Sequence, residues 1–495
     1  EDIFMKNYRL LTLFLALTLT ASATACGGSA PSADTTASGG ASGDAATTPA
    51  VTEEAIPSLP DKDLGGFTIT LGKQPQDKIA WSTVTFAVSE ENGEVLNDAI
   101  VKRNRDMQEK YNFQMEDVEF ADPLATMNQQ IMAGDSDVDI FLVPLNKVNA
   151  IATSEYLINW YDVPNVDLTG AWWDQDMQRD LDLGDGMFFM NGDLIFSVYD
   201  CLRVVYYCKN LAEDLKLADT YGEFYDLVTD GKWTIDKLDE MKEIAAADLN
   251  GDGAMDYRDR FGIMYNHASH EGFITSQDQQ LVKLIDGKPT LNVFNERFYT
   301  VYENVVNVIS GVNSFHYNQD KYPGLSAREA IVSLFDNKQS LFYDNGLSAA
   351  AQYMRNIENV DFGFLPMPKF DEKQEKYYSY VSTSAPVLAL PVTIPADRLE
   401  KTGFALEALC RESSKNVVPE YFETCFSAKY TRDERSYEMI VLATESRRYD
   451  LGIIYNYGTI STVIKDAAEA GNENITSALE SIRTAVEASI KDYHG

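Results

Sequence analysis

The stretch DPLATMNQQIMAGDSDVDIFLV, residues 122–143, reads as a helix followed at once by a strand. Asp122 is a good N-cap, Pro123 takes the first helical position, Leu124, Met127 and Ile131 recur at helical spacing, and Gly134 ends the helix. Asp139 to Val143 is then a short apolar run suited to a buried parallel strand. Upstream, Phe67-Thr-Ile-Thr-Leu71 alternates strictly, the pattern of a half-buried strand, and residues 95–111 put Leu96, Ile100, Met107 and Tyr111 on one helical face. Strand, helix, helix, strand is the rhythm of an α/β domain.

The rhythm returns further along. Arg203 to Tyr207 reads as a strand, Thr234 caps a helix with Ile235, Leu238, Met241 and Ala245 inward, and Asn295 precedes another with Phe298, Val301, Val305 and Ile309. Phe362 to Leu365 and Ala385 to Leu390 are short apolar runs bounded by prolines, and mostly helices follow, including 475–490 with Leu479, Ile482 and Val486 on one face. No solenoid period is present.

The N-terminal end carries an export signal. Residues 1–4 precede Met5, which opens a positive segment with Lys6 and Arg9; an apolar run from Leu10 to Leu19 is too short to span a bilayer, and small residues follow it. Ala23-Thr-Ala25 satisfies the small-x-small rule of ordinary secretion, while Ala-Thr-Ala-Cys26 resembles a bacterial lipobox with Ala23 where leucine is commonest. Both peptidases would cut before Cys26. The stretch rich in Gly, Ala, Ser and Thr that reaches Ile56 favours lipidation, since its 31 residues form a flexible tether with a reach of roughly 30 Å. The expected division is therefore a signal peptide at 1–25 and a lipidated Cys26 with linker at 26–57. No second apolar run reaches membrane-spanning length.

A net charge of −36 argues against nucleic acid or anionic lipid as partner, because either would be repelled. The residues after the tether suffice for two sizeable domains. Four further cysteines, Cys201, Cys208, Cys410 and Cys425, match neither a zinc signature nor a disulfide framework. Cys201 and Cys208 would lie about 23 Å apart along a strand and cannot pair. Cys410 and Cys425 could pair, but buried free thiols are the expectation.

The most specific local signal is DLNGDGAMDYRD, residues 248–259. Asp248, Asn250, Asp252, Asp256 and Asp259 fill positions 1, 3, 5, 9 and 12 of a calcium-type loop, Ala254 offers its carbonyl at position 7, and Gly253 stands at the sharp turn. Aspartate at position 12 shortens the last ligand. With no second copy nearby, the loop is expected to be a structural Ca2+ clip rather than a sensor or docking module. An Asp/Gly-rich surface turn holding no metal is the alternative.

Signatures of catalysis are missing. His267-x-x-His270-Glu271 has neither ligand order used by zinc proteases and reads as a polar loop. There is no Gly-x-Ser-x-Gly elbow, no Gly-x-x-x-x-Gly-Lys loop and no Gly-x-Gly-x-x-Gly after a strand. Carboxylate pairs for glycoside hydrolysis stay open in so acidic a chain. The positive signal is aromatic: Trp81, Trp160, Trp172, Trp173 and Trp233, with 27 tyrosines, offer faces on which sugar rings could stack.

From Gly66 onward the chain resembles the extracellular solute-binding proteins of ABC importers, particularly the large sugar-binding group. The segments that carry the resemblance, in order, are Gly93-Glu94 leading to Arg103 and Asn104, residues 133–139 (AGDSDVD), Tyr207-Cys208-Lys209-Asn210, Lys232-Trp233-Thr234, and Phe362-Gly363 with Pro366-Met-Pro368. Cys208 departs from the Tyr-Asn-Lys usual after the crossing strand. The resemblance implies a type II, two-lobed periplasmic-binding-protein-like α/β fold with mixed sheets, hinge strands between the lobes, and closure on ligand. It places the crossings near 200–206, 359–362 and 412–415, so that residues 58–200 with 362–412 form one lobe and 201–361 with 413–495 the other. It also implies ligand contacts at the lobe edges: Trp81, Trp172, Trp173, Tyr199, Asp200, Tyr343, Asp344, Tyr455 and Tyr457. Such a protein is a monomer, not an enzyme; it captures a small solute, here a mono- or oligosaccharide, and delivers it to membrane permease subunits from an anchored position. An exported hydrolase acting on glycans and a surface glycan-binding module without transport are the alternatives.

Overall fold

The computed structural model describes residues 59–150, 156–184, 186–317, 322–422 and 433–494, without the side chains of 149, 150 and 494. Cys26, the signal segment and Cys425 lie outside the described residues.

In chain order the strands are β1 (Phe67–Lys73), β2 (Phe113–Glu119), β3 (Ile140–Pro144), β4 (Arg203–Cys208), β5 (Phe261–Tyr265), β6 (Val282–Ile285), β7 (Lys288–Leu291), β8 (Ser314–His316), β9 (Ser340–Gly346), β10 (Phe362–Leu365), β11 (Ser379–Tyr380), β12 (Pro386–Ala389) and β13 (Arg447–Arg448). Two sheets organise the body. The first has the order β12-β3-β1-β2, with β12 antiparallel to β3 and the rest parallel; the second has the order β10-β4-β9-β5-β8, in which β9, β5 and β8 run parallel and β4 and β10 alternate in direction. Each sheet is flanked by helices, so the fold is a two-lobed mixed α/β architecture.

The opening stretch folds as its residues dictate. The helix Pro123–Ala133 starts with the Asp122 carboxylate accepting from Ala125 N at 3.1 Å and ends at Gly134 with φ +72°, a conformation that favours glycine. Gln130, buried, holds the loop to β3 from both sides, donating to Val138 O at 2.9 Å and accepting from Val138 N at 3.1 Å. Asp139 is fully buried, accepts from Thr70 N at 2.9 Å and pairs with Arg398. Asn295 caps the helix Glu296–Ile309 through Phe298 N at 2.9 Å. Thr234 differs: it precedes the helix Ile235–Ala245 but makes no capping bond with its side chain, because its backbone bridges to Lys369 and Ile235 N donates to Lys369 O at 2.8 Å.

Two of the expected crossings are displaced. Phe362–Leu365 is not the start of a first-lobe segment, since β10 pairs with β4 from Cys208 to Val205 and extends the second sheet. The return to the first sheet comes later, where Leu202 and Val381 form an antiparallel bridge and Ser382 N donates to Cys201 O at 3.0 Å. Nor does the chain leave the first lobe at 412–415. The helix Ala396–Asn416 runs straight through those positions, and Tyr421 and Phe422 still pack on Phe196 and Tyr199. The second lobe resumes with the helix Glu434–Thr444, whose capping residue Asp433 pairs with Lys209. Apolar runs identify strands but not their sheet, because pairing is set by backbone partners distant in sequence.

The motifs that carry the family resemblance prove to be framework. Arg103 is buried and donates to Ser413 Oγ at 2.9 Å, Asn104 donates to Phe86 O at 2.7 Å, and the buried Trp233 donates its indole N–H to Pro366 O at 2.9 Å. Cys201, Cys208 and Cys410 are buried free thiols. No described helix is long and apolar enough to cross a membrane.

Candidate functional site

Parallel strands leave backbone ends and loops converging at their C-terminal edges, where open α/β sheets receive ligands. A cleft of about 600 Å3 lies there, between the two sheets. From the first lobe it receives Trp81 beyond β1, Asn146 beyond β3, and Ser382, Thr383 and Ser384 ahead of the antiparallel β12. From the second it receives Asn266, His267 and Glu271 beyond β5, Tyr317 beyond β8, Asn345 near the end of β9 and Tyr353 beyond it. The C-terminal helices add Asn456, Ser461, Thr462 and Lys465, and the crossing supplies Asp200 and Arg203.

The polar groups of the lining are held in place. Asp200 is buried and accepts from Thr83 N at 2.5 Å and from Tyr421 OH at 2.7 Å. Burial pushes its carboxyl up to about 6 against the pull of those bonds. Glu271 accepts from Tyr380 OH at 2.5 Å and from Ser461 Oγ at 3.1 Å. Arg203, buried in the wall, donates through Nε to Asp344 Oδ1 at 3.0 Å and through Nη2 to Asp344 Oδ2, to the Asp344 carbonyl at 3.1 Å and to Ser269 Oγ at 3.0 Å. Burial disfavours its charge, but Asp344 outweighs that and holds it protonated. Beside it Tyr353 OH accepts from Asn345 Nδ2 at 2.8 Å and meets Tyr343 OH at 3.2 Å, and Asn266 donates to Tyr317. The lining offers amide and hydroxyl donors and acceptors together with the charged side chains of Asp200, Arg203, Glu271 and Lys465 and one exposed indole, a mixture suited to hydroxyls.

Of the nine expected ligand residues, the structure brings Trp81 and Asp200 to the cleft. Trp81 is 40 % exposed, with its N–H on Ser384 O at 3.3 Å. The other seven stand behind the cleft or away from it. Trp172 is buried under the Arg411 guanidinium, 4.1 Å from its ring centre, and Trp173 is buried edge-on to Trp160 with its N–H on Glu407 at 2.9 Å. Tyr199 packs on Phe422 and donates to Asp193 at 3.1 Å. Tyr343 and Asp344 are one layer behind the wall, fully buried. Tyr455 and Tyr457 stack on each other at 5.3 Å with Tyr493 across their edges. Large aromatics bury because their area favours the core, so an aromatic count points first to packing. Among the residues missed, Asn146 and Ser382 to Ser384 lie beside strands expected from the sequence, whereas Asn266 and Asn345 belong to the ends of β5 and β9, which were not expected from it.

The loop 248–259 takes the turn its glycines require, with φ +73° at Gly251 and +85° at Gly253. The Asp248 carboxylate accepts from Gly251 N at 2.7 Å and Gly253 N at 2.8 Å, Asn250 Oδ1 accepts from Asp252 N at 2.8 Å, and Asp259 is buried and accepts from Leu249 N and Asp256 N. Those bonds lower the Asp248 carboxyl below its ordinary value. Arg258 bridges Asp252 and Asp256 at 2.8 and 2.5 Å, so the outer acids already hold one positive charge. The donor set of five side-chain oxygens and the Ala254 carbonyl fits calcium in type and number.

A second polar cluster lies at the cleft edge. His267 Nδ1 and His316 Nε2 both approach Glu469 Oε1, at 2.8 and 3.3 Å. Burial works to raise the Glu469 carboxyl, but the two histidine hydrogen bonds outweigh it and leave it low.

No protein-family model matches the chain, and no curated protein matches it. Solved structures do. A cyclo/maltodextrin-binding protein complexed with maltotetraose shares 14 % identity at a TM-score of 0.54, covering 88 % of this chain and 98 % of its own. The maltose/maltodextrin-binding domain MalE from Bdellovibrio bacteriovorus, bound to maltotriose, shares 13 % at 0.52, covering 86 % and 100 %. UspC of M. tuberculosis shares 14 % at 0.52, covering 86 % and 100 %. At such identities the likeness establishes the fold, that of the two-lobed solute-binding proteins, over the body of the chain.

Proposed function

We propose that this chain is the solute-capturing component of an ABC importer and takes up a mono- or oligosaccharide in the cleft between its lobes. The observation that carries the reading is the cleft itself: about 600 Å3 at the C-terminal strand ends of two sheets, lined mainly by amide and hydroxyl side chains with the Trp81 indole at its rim. That lining matches the needs of a polyhydroxylated ligand, and two solved structures of the same fold hold maltotetraose and maltotriose. Bending at the paired passages around Leu202 and Val381 would close the lobes on the ligand and present the closed form to membrane permease subunits. Lipidation at Cys26 would keep the capture step near the importer by raising local concentration. Calcium in the loop 248–259 would stiffen the second lobe.

A panel of mono- and oligosaccharides, polyols and peptides, screened by thermal shift and followed by calorimetry, tests the ligand class. A sugar is expected to raise the unfolding temperature; a rise with peptides alone would end the assignment. Mass spectrometry of the mature N-terminus tests the anchor, since an unmodified Cys26 means free secretion. The hydrolase alternative rests on Asp200 and Glu271, the two carboxylates of the cleft. Both are engaged in framework hydrogen bonds, which favours binding, and no turnover of chromogenic glycosides is expected.

A further inference from the structure

Three side chains far apart in sequence meet at the edge of the cleft in the second lobe: His267 just beyond β5, His316 at the end of β8, and Glu469 at the last turn of the helix Ile460–Glu469. One ligating atom from each lies within 4.8 Å of the others, the only such group of three among the described residues. We propose that this cluster is a binding site for a divalent transition-metal ion of the zinc class, distinct from the calcium-type loop.

The spacing supports it. Ligands 2.0–2.1 Å from a tetrahedral zinc ion stand about 3.3 Å from one another. His267 Nδ1 and His316 Nε2 stand 2.8 and 3.3 Å from the same Glu469 oxygen, so small side-chain rotations admit the ion. The donors are two imidazoles and one carboxylate, a set that suits zinc and its neighbours and is too poor in oxygen for calcium. The backbone beneath His267 is fixed, because His270 Nδ1 bonds to the His267 carbonyl at 2.7 Å and Asn266 Oδ1 accepts from Ala268 N at 2.9 Å.

The position of Glu469 adds an independent reason. A carboxylate at a helix C-terminus faces the negative end of the helix dipole, which disfavours it, and a bound cation relieves that opposition. His267 is half exposed and lines the cleft, so the site opens to solvent there, leaving a coordination position for water. An ion held this way would staple β8, the segment after β5 and the C-terminal helices at the rim of the ligand cleft.

The test uses the exported protein stripped of metal by chelation and titrated with cobalt(II), whose visible absorption intensifies in four-coordinate sites, in buffer with millimolar calcium to occupy the loop 248–259. An intense band saturating at one equivalent and displaced by zinc is expected. His267→Ala and Glu469→Gln should each weaken cobalt binding at least tenfold, and zinc should raise the unfolding temperature of the wild type but not of His267→Ala. His316 is buried, so its replacement risks the fold, and the two more accessible ligands carry the test. Absence of the band in the wild type, or wild-type affinity in both variants, overturns the proposal. No sugar enters the measurement, so its outcome is independent of the transport reading.

Discussion

Replacing Arg203 by methionine removes one half of a pair that has almost no contact with water: the side chains of Arg203 and Asp344 are 2 % and 0 % exposed. An exposed ion pair would be worth at most about 1 kcal/mol, because solvent screens it. Here burial decides the magnitude. The variant strands the Asp344 carboxylate in the wall and also leaves Ser269 Oγ and the Asp344 carbonyl without their guanidinium donor. Breaking such a pair costs roughly 3–5 kcal/mol, and replacing both partners by apolar residues restores much of it. If the second lobe unfolds as a unit of about 240 residues, that loss lowers its melting temperature by roughly 6 to 20 °C. Urea titration followed by far-UV circular dichroism on Arg203→Met, Asp344→Leu and the double variant closes the cycle, with each single variant strongly destabilised and the double variant clearly less so than their sum. A single variant within about 1 kcal/mol of wild type would show that water reaches the pair, and the reasoning from burial would fail.

Trp81→Ala removes the exposed indole at the cleft rim and should weaken sugar binding about tenfold, a loss of roughly 1–1.5 kcal/mol, with stability unchanged; calorimetry checks both. The Asp200 carboxyl is raised from 3.8 to about 6, so between those values the folded chain holds a proton that the unfolded chain releases. Its contribution to stability therefore increases as pH falls from about 6 toward 4, by up to roughly 3 kcal/mol, and Asp200→Asn should flatten that part of the stability profile; parallel profiles would contradict the shift. Millimolar calcium should raise the unfolding temperature of the wild type and leave Asp248→Ala unmoved, as scanning calorimetry after chelation would show. Gly403→Ala places a methyl 2.1 Å from the Pro164 carbonyl oxygen, inside the first lobe; a destabilisation of roughly 1–3 kcal/mol or more is expected, read from the urea midpoint.

Local chemistry was legible in the sequence wherever neighbours in the chain decide the conformation. Asp122, Pro123 and Gly134 bound a helix through contacts with residues three or four positions away, and the strand that follows declares itself by an unbroken apolar run. The turn of residues 248–259 belongs to the same class, since its glycines and aspartates satisfy one another. The order of such elements was enough to read an α/β fold; the two lobes were expected from the resemblance that the ordered motifs carry. Which sheet a strand joins was not legible: β10 looks like any buried strand, and only its pairing with β4 assigns it to the second lobe. The cleft was legible only in part for the same reason. Trp81 and Asp200 follow from their place beside a strand and a crossing, but whether an aromatic packs inward or faces the cleft depends on the layer laid over it, and for Trp172, Trp173, Tyr455 and Tyr457 that layer comes from elsewhere in the chain. The meeting of His267, His316 and Glu469 is the clearest case, because spacing within a segment carries no information about residues as many as 202 positions apart, and only the tertiary structure sets their nitrogens on one carboxylate oxygen.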